Sequence, residues 1–194
     1  MDEGNVFWAG NEYRYFEDRV FNSPNERVAK YAFDSAKQNH IYLLPEEKRT
    51  FRRYSTIRDI NGNFLVKNLN STNDEIEADY AWVYFSLSAP AFYANKNIYI
   101  TGMFNNNALT DENKMDYNEK KGIYEKALMI KQGFTNYNYT IADSKGTIDD
   151  ANAIDGNFYQ TENNYFAIIY YRENNQRYDR VIGKGVATST EIIN

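Results

Sequence analysis

Catalysis at neutral pH draws on a short list of side chains: a histidine base, a thiolate, facing carboxylates, or a metal held by several ligands. The chain has 194 residues, with one histidine, His40, and no cysteine. Thiolate chemistry and disulfides are therefore excluded, and a Ser-His-Asp arrangement has a single candidate base. His40 opens an apolar run, where a structural or surface histidine is the ordinary case. Acidic residues cluster twice, at Asp74, Glu75, Glu77 and Asp79 and again at Asp149, Asp150 and Asp155. A calcium loop needs oxygen ligands at alternate positions and a glycine at the sixth. Counting from Asp59 the sixth residue is Phe64, and from Asp150 the fifth and sixth are Ile154 and Asp155. Both fail, so the clusters read as solvated loops. Gly183-Lys184-Gly185 lacks a third glycine and falls after the expected last strand, so it is not a nucleotide fingerprint. No catalytic residue, metal ligand or cofactor site is assigned.

The elements that would position any site are strands. The chain carries 18 tyrosines, 12 phenylalanines and 26 asparagines but only 3 prolines. Aromatic residues favour strands, and asparagine favours turns. The first strand candidates are 5–9, 12–20, 26–33, 40–44, 50–57 and 63–68. The later ones are 79–87, 97–103, 122–130, 134–142, 165–172 and 178–183. Asn61-Gly62 marks a tight hairpin turn. Residues 111–116 suit one short helical turn. Ala81, Val83, Phe85 and Leu87 alternate with Tyr80, Trp82 and Tyr84. Both faces are apolar, so this strand is expected to be central or covered. Residues 166–171 show the same pattern.

Tyr13-Arg14-Tyr15, Phe51-Arg52-Arg53-Tyr54 and Arg177-Tyr178-Asp179-Arg180 read either as interface anchors or as half-buried strands with charges outward. Net charge is −5, from 22 basic and 27 acidic residues, which speaks against a nucleic-acid surface. No apolar run approaches the length of a membrane-spanning helix. The first residues lack the basic-then-apolar pattern of a signal peptide. The polar segment 68–77 is the best boundary. It divides an N-terminal β domain, 1–76, from a C-terminal domain, 77–194. The expected fold is all-β, with two antiparallel sandwich domains packed in tandem.

Several segments, taken in order, resemble one family. They are Gly10-Asn11-Glu12-Tyr13-Arg14-Tyr15-Phe16, Ile41-Tyr42-Leu43-Leu44-Pro45, Tyr54 and Asp59-Ile60-Asn61-Gly62-Asn63-Phe64. Then come Glu77-Ala78-Asp79-Tyr80-Ala81-Trp82-Val83, Ile98-Tyr99-Ile100-Thr101-Gly102-Met103-Phe104 and Lys131-Gln132-Gly133-Phe134. Tyr137-Asn138-Tyr139, residues 156–163 and Arg177-Tyr178-Asp179-Arg180-Val181-Ile182-Gly183 complete the set. This order resembles the second and third domains of the type IX secretion system plug protein of Bacteroidetes. Residues 79–172 also look like an early-set immunoglobulin-like module of the glycogen-binding kind. The turn Asn105-Asn106-Asn107-Ala108 lacks that module's tryptophan. Asp34-Ser35-Ala36 is similar to a short O-glycosylation signal of exported proteins in the same phylum.

The resemblance implies a non-catalytic, periplasmic, outer-membrane-associated protein. Its expected partner is the outer-membrane β-barrel translocon, whose pore it would plug. A signal peptide and a first domain would lie outside this chain. The resemblance fixes no contact residue. The alternative is a carbohydrate-binding module of an exported protein. It needs an exposed aromatic platform, with Tyr93, Tyr124 and Tyr159 as candidate members. Trp8 and Trp82 are expected in the core. A contact through Trp82 and Tyr84 is expected to hold the two domains rigid.

Overall fold

The computed structural model describes residues 6–23, 25–56, 59–90 and 96–189. The chain is all-β, as expected. Among the described residues the twelve strands are β1 (Arg14–Glu17), β2 (Val28–Phe33), β3 (Asn39–Leu43), β4 (Glu46–Glu47), β5 (Phe64–Val66), β6 (Tyr80–Ser88), β7 (Lys96–Thr101), β8 (Asp116–Asn118), β9 (Ile123–Lys131), β10 (Gly133–Asp143), β11 (Asn164–Tyr171) and β12 (Arg180–Thr188). The one short α-helix, α1, spans Asp74–Glu77. Two sheets form a sandwich. One has the order β2-β3-β6-β9-β8, with β4 also on β6. The other places β1 and β5 on either side of β10, with β7 on the second half of β10. β11 and β12 form a separate two-stranded hairpin.

The expected division at residue 76 does not separate two cores. β1 and β5 pair with β10, and β3 pairs with β6, so both sheets combine strands from either side of the boundary. One apolar cluster contains Phe16, Ile41 and Leu43 together with Val83, Phe85, Ile100, Tyr137 and Ile141. Within it Phe16 and Phe85 meet edge-on at 5.9 Å, and Phe85 meets Tyr137 edge-on at 5.0 Å. The reason is local. Asp74 accepts from Asn68 N–H and pairs with Lys67, which ties the polar segment into a compact crossover around α1. β3 and β4 run parallel to β6, and Pro45 interrupts what would otherwise be one strand. The remaining ladders are antiparallel, as expected.

The Asn61-Gly62 turn forms, with φ of 54° and 76°, but among the described residues it closes no hairpin, because β5 pairs with β10. Gly62 is required twice over, because a Cβ there would stand 2.6 Å from the Tyr13 ring. At Gly133 a Cβ would fall 1.9 Å from the Leu65 carbonyl oxygen, so only glycine lets β5 approach β10. Residues 50–52 make a turn and 53–56 no regular structure where a strand was expected, and 111–113 make a turn rather than a helix. Residues 6–9 form no strand.

Polar groups close the sandwich. The Arg14 side chain points inward, 5% exposed, which corrects the expectation of outward charge. It donates through Nε to Asp155 Oδ1 at 2.8 Å and through NH2 to the Glu47 carbonyl at 2.8 Å. Its NH1 lies 2.9 Å from Glu46 Oε1. Arg49 Nε donates to the same Asp155 oxygen at 2.8 Å. Tyr137 and Tyr139 hydroxyls both donate to Glu46 Oε2, at 2.7 and 2.9 Å. Burial alone would push the Asp155 carboxyl up, but the Arg14 and Arg49 guanidiniums hold it below the usual range. Burial pushes both tyrosine hydroxyls well up, with the Glu46 charge adding to the rise. Removing one partner of such a cluster leaves a buried charge uncompensated. Arg14→Ala is therefore expected to lower unfolding stability by about 3–5 kcal/mol, read from urea midpoints.

Asp18 at the end of β1 is 1% exposed. Its Oδ1 accepts from Gly133 N–H at 2.6 Å, while its Oδ2 has no partner among the described residues. Burial pushes the Asp18 carboxyl up to about 7, with the Glu17 charge adding to the rise. An unfolded aspartate titrates near ~3.9, so the folded chain keeps a proton that the unfolded chain has lost. Stability from this group is full at low pH. It falls as pH rises from about 4 to about 7, by at most about 1.4 kcal/mol per unit. Asp18→Asn keeps the acceptor and cannot ionise. It is expected to be more stable than wild type at pH 7.5, and the gap is expected to close at pH 4. Urea unfolding at both values checks this, and an unchanged gap would refute it.

Candidate functional site

β6 is central, between β3 and β9, yet one of its faces is not covered. Ala81, Val83, Phe85 and Leu87 point into the core, while Tyr80, Trp82 and Tyr84 line the outer face of the sheet. Strand alternation produces this split, and the neighbours extend it. His40 and Tyr42 of β3 lie opposite Trp82 and Tyr84. Met129 and Ala127 of β9 lie opposite the same two residues on the other side. The result is an outer face on which the rings of β3 and β6 adjoin Ala127 and Met129 of β9.

That face is braced by side-chain contacts. The Tyr42 and Tyr84 rings stack at 4.3 Å and 11°. The His40 ring lies against Tyr84, and its Nδ1 is 3.0 Å from the Tyr84 hydroxyl. His40 Nε2 lies 3.1 Å from Asp34. Trp82 Nε1 donates to Gln38 Oε1 at 3.0 Å. Lys30 and Lys131 lie over the Tyr42 and Tyr80 rings at 5.4 and 5.0 Å. Burial of the Tyr84 hydroxyl, with Tyr42 beside it, pushes its pKa up. Backbone N–H donation from Gln38, followed by the His40 contact, holds the Asp34 carboxyl down. Beside Tyr42 and Tyr84 the face opens into a groove of about 970 Å³, also lined by Tyr117, Lys121 and Glu125.

A second concavity, of about 870 Å³, lies where the 8–13 segment and the 148–164 loops meet β10. Trp8 lines it and is 52% exposed, which corrects the expectation of a core tryptophan. Asp59, Asp150, Glu162 and Asn138 line it as well. Asn138 Oδ1 and Asp155 Oδ2 are buried without a hydrogen-bond partner. Among the described residues no three histidine, aspartate or glutamate side chains come together to hold a metal ion.

The remaining expected residues scatter. The 149–155 carboxylates separate: Asp155 enters the core cluster, Asp149 pairs with Lys96, and Asp150 is exposed. Asp74 and Glu77 serve the crossover, where Glu77 accepts from Thr72 and Asn73. Of the proposed sugar platform, Tyr124 is buried, Tyr159 is 85% exposed, and Tyr93 lies outside the described residues. Trp82 and Tyr84 join no second domain, because their face is the outside of a sheet. Gly183-Lys184-Gly185 lies inside β12 rather than after the last strand. Ser35 of the Asp34-Ser35-Ala36 triplet is exposed in the β2–β3 turn. Sequence reading divided the two faces of β6 correctly but missed the role of His40 and Tyr42. Their alternation along 39–43 was the available signal.

No family model matches the chain, and no curated protein matches it. It is similar to the crystal structure, at 2.30 Å resolution, of a hypothetical protein from Parabacteroides merdae ATCC 43184. The TM-score is 0.85 and the identity 32%, over 94% of this chain and 45% of that one. The chain thus spans under half the length of that relative.

Because the aromatic face lies outside the core, truncating it is expected to cost little stability. Trp82→Ala is expected to change unfolding free energy by less than about 1.5 kcal/mol, against about 3–5 kcal/mol for Phe85→Ala on the inward face. Urea denaturation of the two variants checks this.

Proposed function

We propose that the protein is a non-catalytic docking component of type IX secretion, seating on the periplasmic side of an outer-membrane β-barrel translocon. The observation that carries this reading is the braced aromatic outer face of β3 and β6, beside Met129 of β9. Tyrosine, tryptophan and methionine are favoured in protein interfaces, where rigid rings bury area at small entropic cost. Tyr42, Tyr84 and Trp82 are already held in place by their neighbours, so docking would order few side chains. The relative from Parabacteroides belongs to the phylum that the sequence resemblance names, which agrees with the reading.

The test is recovery of the tagged full-length protein from its native host in mild detergent. A very large outer-membrane barrel is expected with the wild type. It is expected to be lost with Trp82→Ala and Tyr84→Ala together, at unchanged fold by circular dichroism. Equal recovery with that pair would remove the face from the interface, and no barrel at all would remove the reading.

The Trp8 cleft favours a second reading, glycan binding. An exposed indole beside carboxylate and amide acceptors suits a polyhydroxylated ring. Retention on polysaccharide gels, lost in Trp8→Ala, would support it. Absence of retention across a glycan array would remove it.

A further inference from the structure

β10 is paired unevenly along the edge that carries β1. Backbone groups of a strand alternate between its two edges, so every second residue offers its N–H and C=O to β1. Three bonds identify that set. Asp18 N–H donates to the Gly133 carbonyl at 2.9 Å, Asp149 N–H to the Ile141 carbonyl at 2.9 Å, and Asp143 N–H to the Thr147 carbonyl at 3.0 Å. Tyr137 stands opposite Arg14, the first residue of β1. Tyr139 lies between these pairings and points its backbone to the same edge. Among the described residues neither its N–H nor its C=O meets a partner there.

The fold holds this edge open from both sides. β1 would pair with Tyr139 if it extended back through Glu12. It does not, because Gly10 and Asn11 are drawn to the 155–158 loop. Asn11 Nδ2 donates to the Asp155 carbonyl at 2.7 Å, Gly10 N–H to Asn157 Oδ1 at 2.9 Å, and Phe158 N–H to the Gly10 carbonyl at 2.9 Å. Gly10 makes the turn at a φ of 67°. On the other side Asp149 is fixed by Lys96 and by Asn152 N–H. The Tyr139 ring is buried in the core beside Glu46, so what Tyr139 presents to the Trp8 cleft is its backbone. The cleft floor is therefore a short free edge of β10.

Charge selects what can pair with that edge. Six carboxylates line the cleft, and among the described residues no lysine or arginine does. Asp149 is paired with Lys96, and Asp155 with Arg14 and Arg49 through Oδ1. The other four, Glu12, Asp59, Asp150 and Glu162, form no ion pair among the described residues. Asp59 accepts from Tyr13 N–H and Glu12 from the Tyr54 hydroxyl, contacts that leave both charges uncompensated. Asp155, 6% exposed, keeps an Oδ2 without a partner among the described residues. The half-exposed Trp8 offers a ring face of the kind on which a guanidinium stacks. A neutral sugar would leave the four charges unanswered.

We propose that the Trp8 cleft binds an extended, basic segment of a partner polypeptide. The segment lies along the edge that β1 leaves. One of its residues donates to the Tyr139 carbonyl and accepts from the Tyr139 N–H. Its lysine or arginine side chains lie among Glu12, Asp59, Asp150 and Glu162. A strand added to a free edge gains affinity through its main chain and specificity through its side chains. Because both sides of the cleft are already fixed, binding orders little of this protein.

The probe is a fluorescein-labelled nonapeptide of alternating valine and arginine, titrated into the 194-residue chain. Fluorescence polarisation reads affinity, and amide NMR reads position. Saturable binding is expected, with the Tyr139 amide resonance shifted at saturation. Affinity is expected to fall at least tenfold in the Asp150→Lys, Glu162→Lys variant, whose fold circular dichroism confirms. It is expected to fall as far with the fully N-methylated peptide, which keeps its charge but cannot donate to the Tyr139 carbonyl. A peptide of alternating valine and glutamate is expected not to bind. Absence of binding up to about 1 mM would overturn the proposal. So would binding that N-methylation leaves unchanged, or a Tyr139 resonance that does not move, since charge alone would then hold the peptide. Polysaccharide retention lost in Trp8→Ala, without peptide binding, would overturn it in favour of the sugar reading.

Discussion

The fold turns on one buried ionic contact, Arg14 between Glu46 and Asp155. It joins the first strand, the short strand after Pro45 and a loop more than a hundred residues downstream. Arg49 and the hydroxyls of Tyr137 and Tyr139 complete it. Such a cluster adds less net stability than apolar side chains of equal volume would. Its stronger effect is on alternatives. If β1 slipped by one residue on β10, Arg14 would face water and Tyr13 or Tyr15 would face Glu46. Glu46 would then lose its buried cation, and Asp155 would keep only Arg49. We read the cluster as the device that fixes β1 register and closes both sheets around one core.

Much of the strand pattern was legible because burial repeats with period two. The inward set Ala81, Val83, Phe85 and Leu87 is what the alternation states. Strand partners were not legible, because alternation gives a face and not a neighbour. The polar segment 68–77 looks like a linker by composition. Here its asparagines and carboxylates instead satisfy a tight crossover inside one sandwich. The direction of Arg14 was hidden for a similar reason: charge suggests water unless the opposite charges are known, and these lie 32 and 141 residues away.

The aromatic face shows how far a local signal can reach. Tyr80, Trp82 and Tyr84 announce a second apolar face on β6, and covering by another layer is the usual outcome. The structure resolves the conflict differently. Each ring is partly sheltered by a neighbour: Tyr84 by Tyr42 and His40, Tyr42 by Lys30, and Tyr80 by Lys131. The face is therefore tolerable in water while remaining a poor solvent surface. That intermediate state is characteristic of patches buried only on association.

Edge strands sharpen the distinction between this face and the hairpin. An all-β protein with open edges invites unwanted pairing, and short or charged edges are the usual defence. β5 and β8 have three residues each, and β1 has four. β2 and β7, each paired with one strand, have six. β11 and β12 have eight and nine residues, with exposed apolar side chains on both faces. The hairpin strands are the longest that the described fold pairs with only one neighbour. Their length and their exposed apolar side chains set them apart from the short edges of the sandwich.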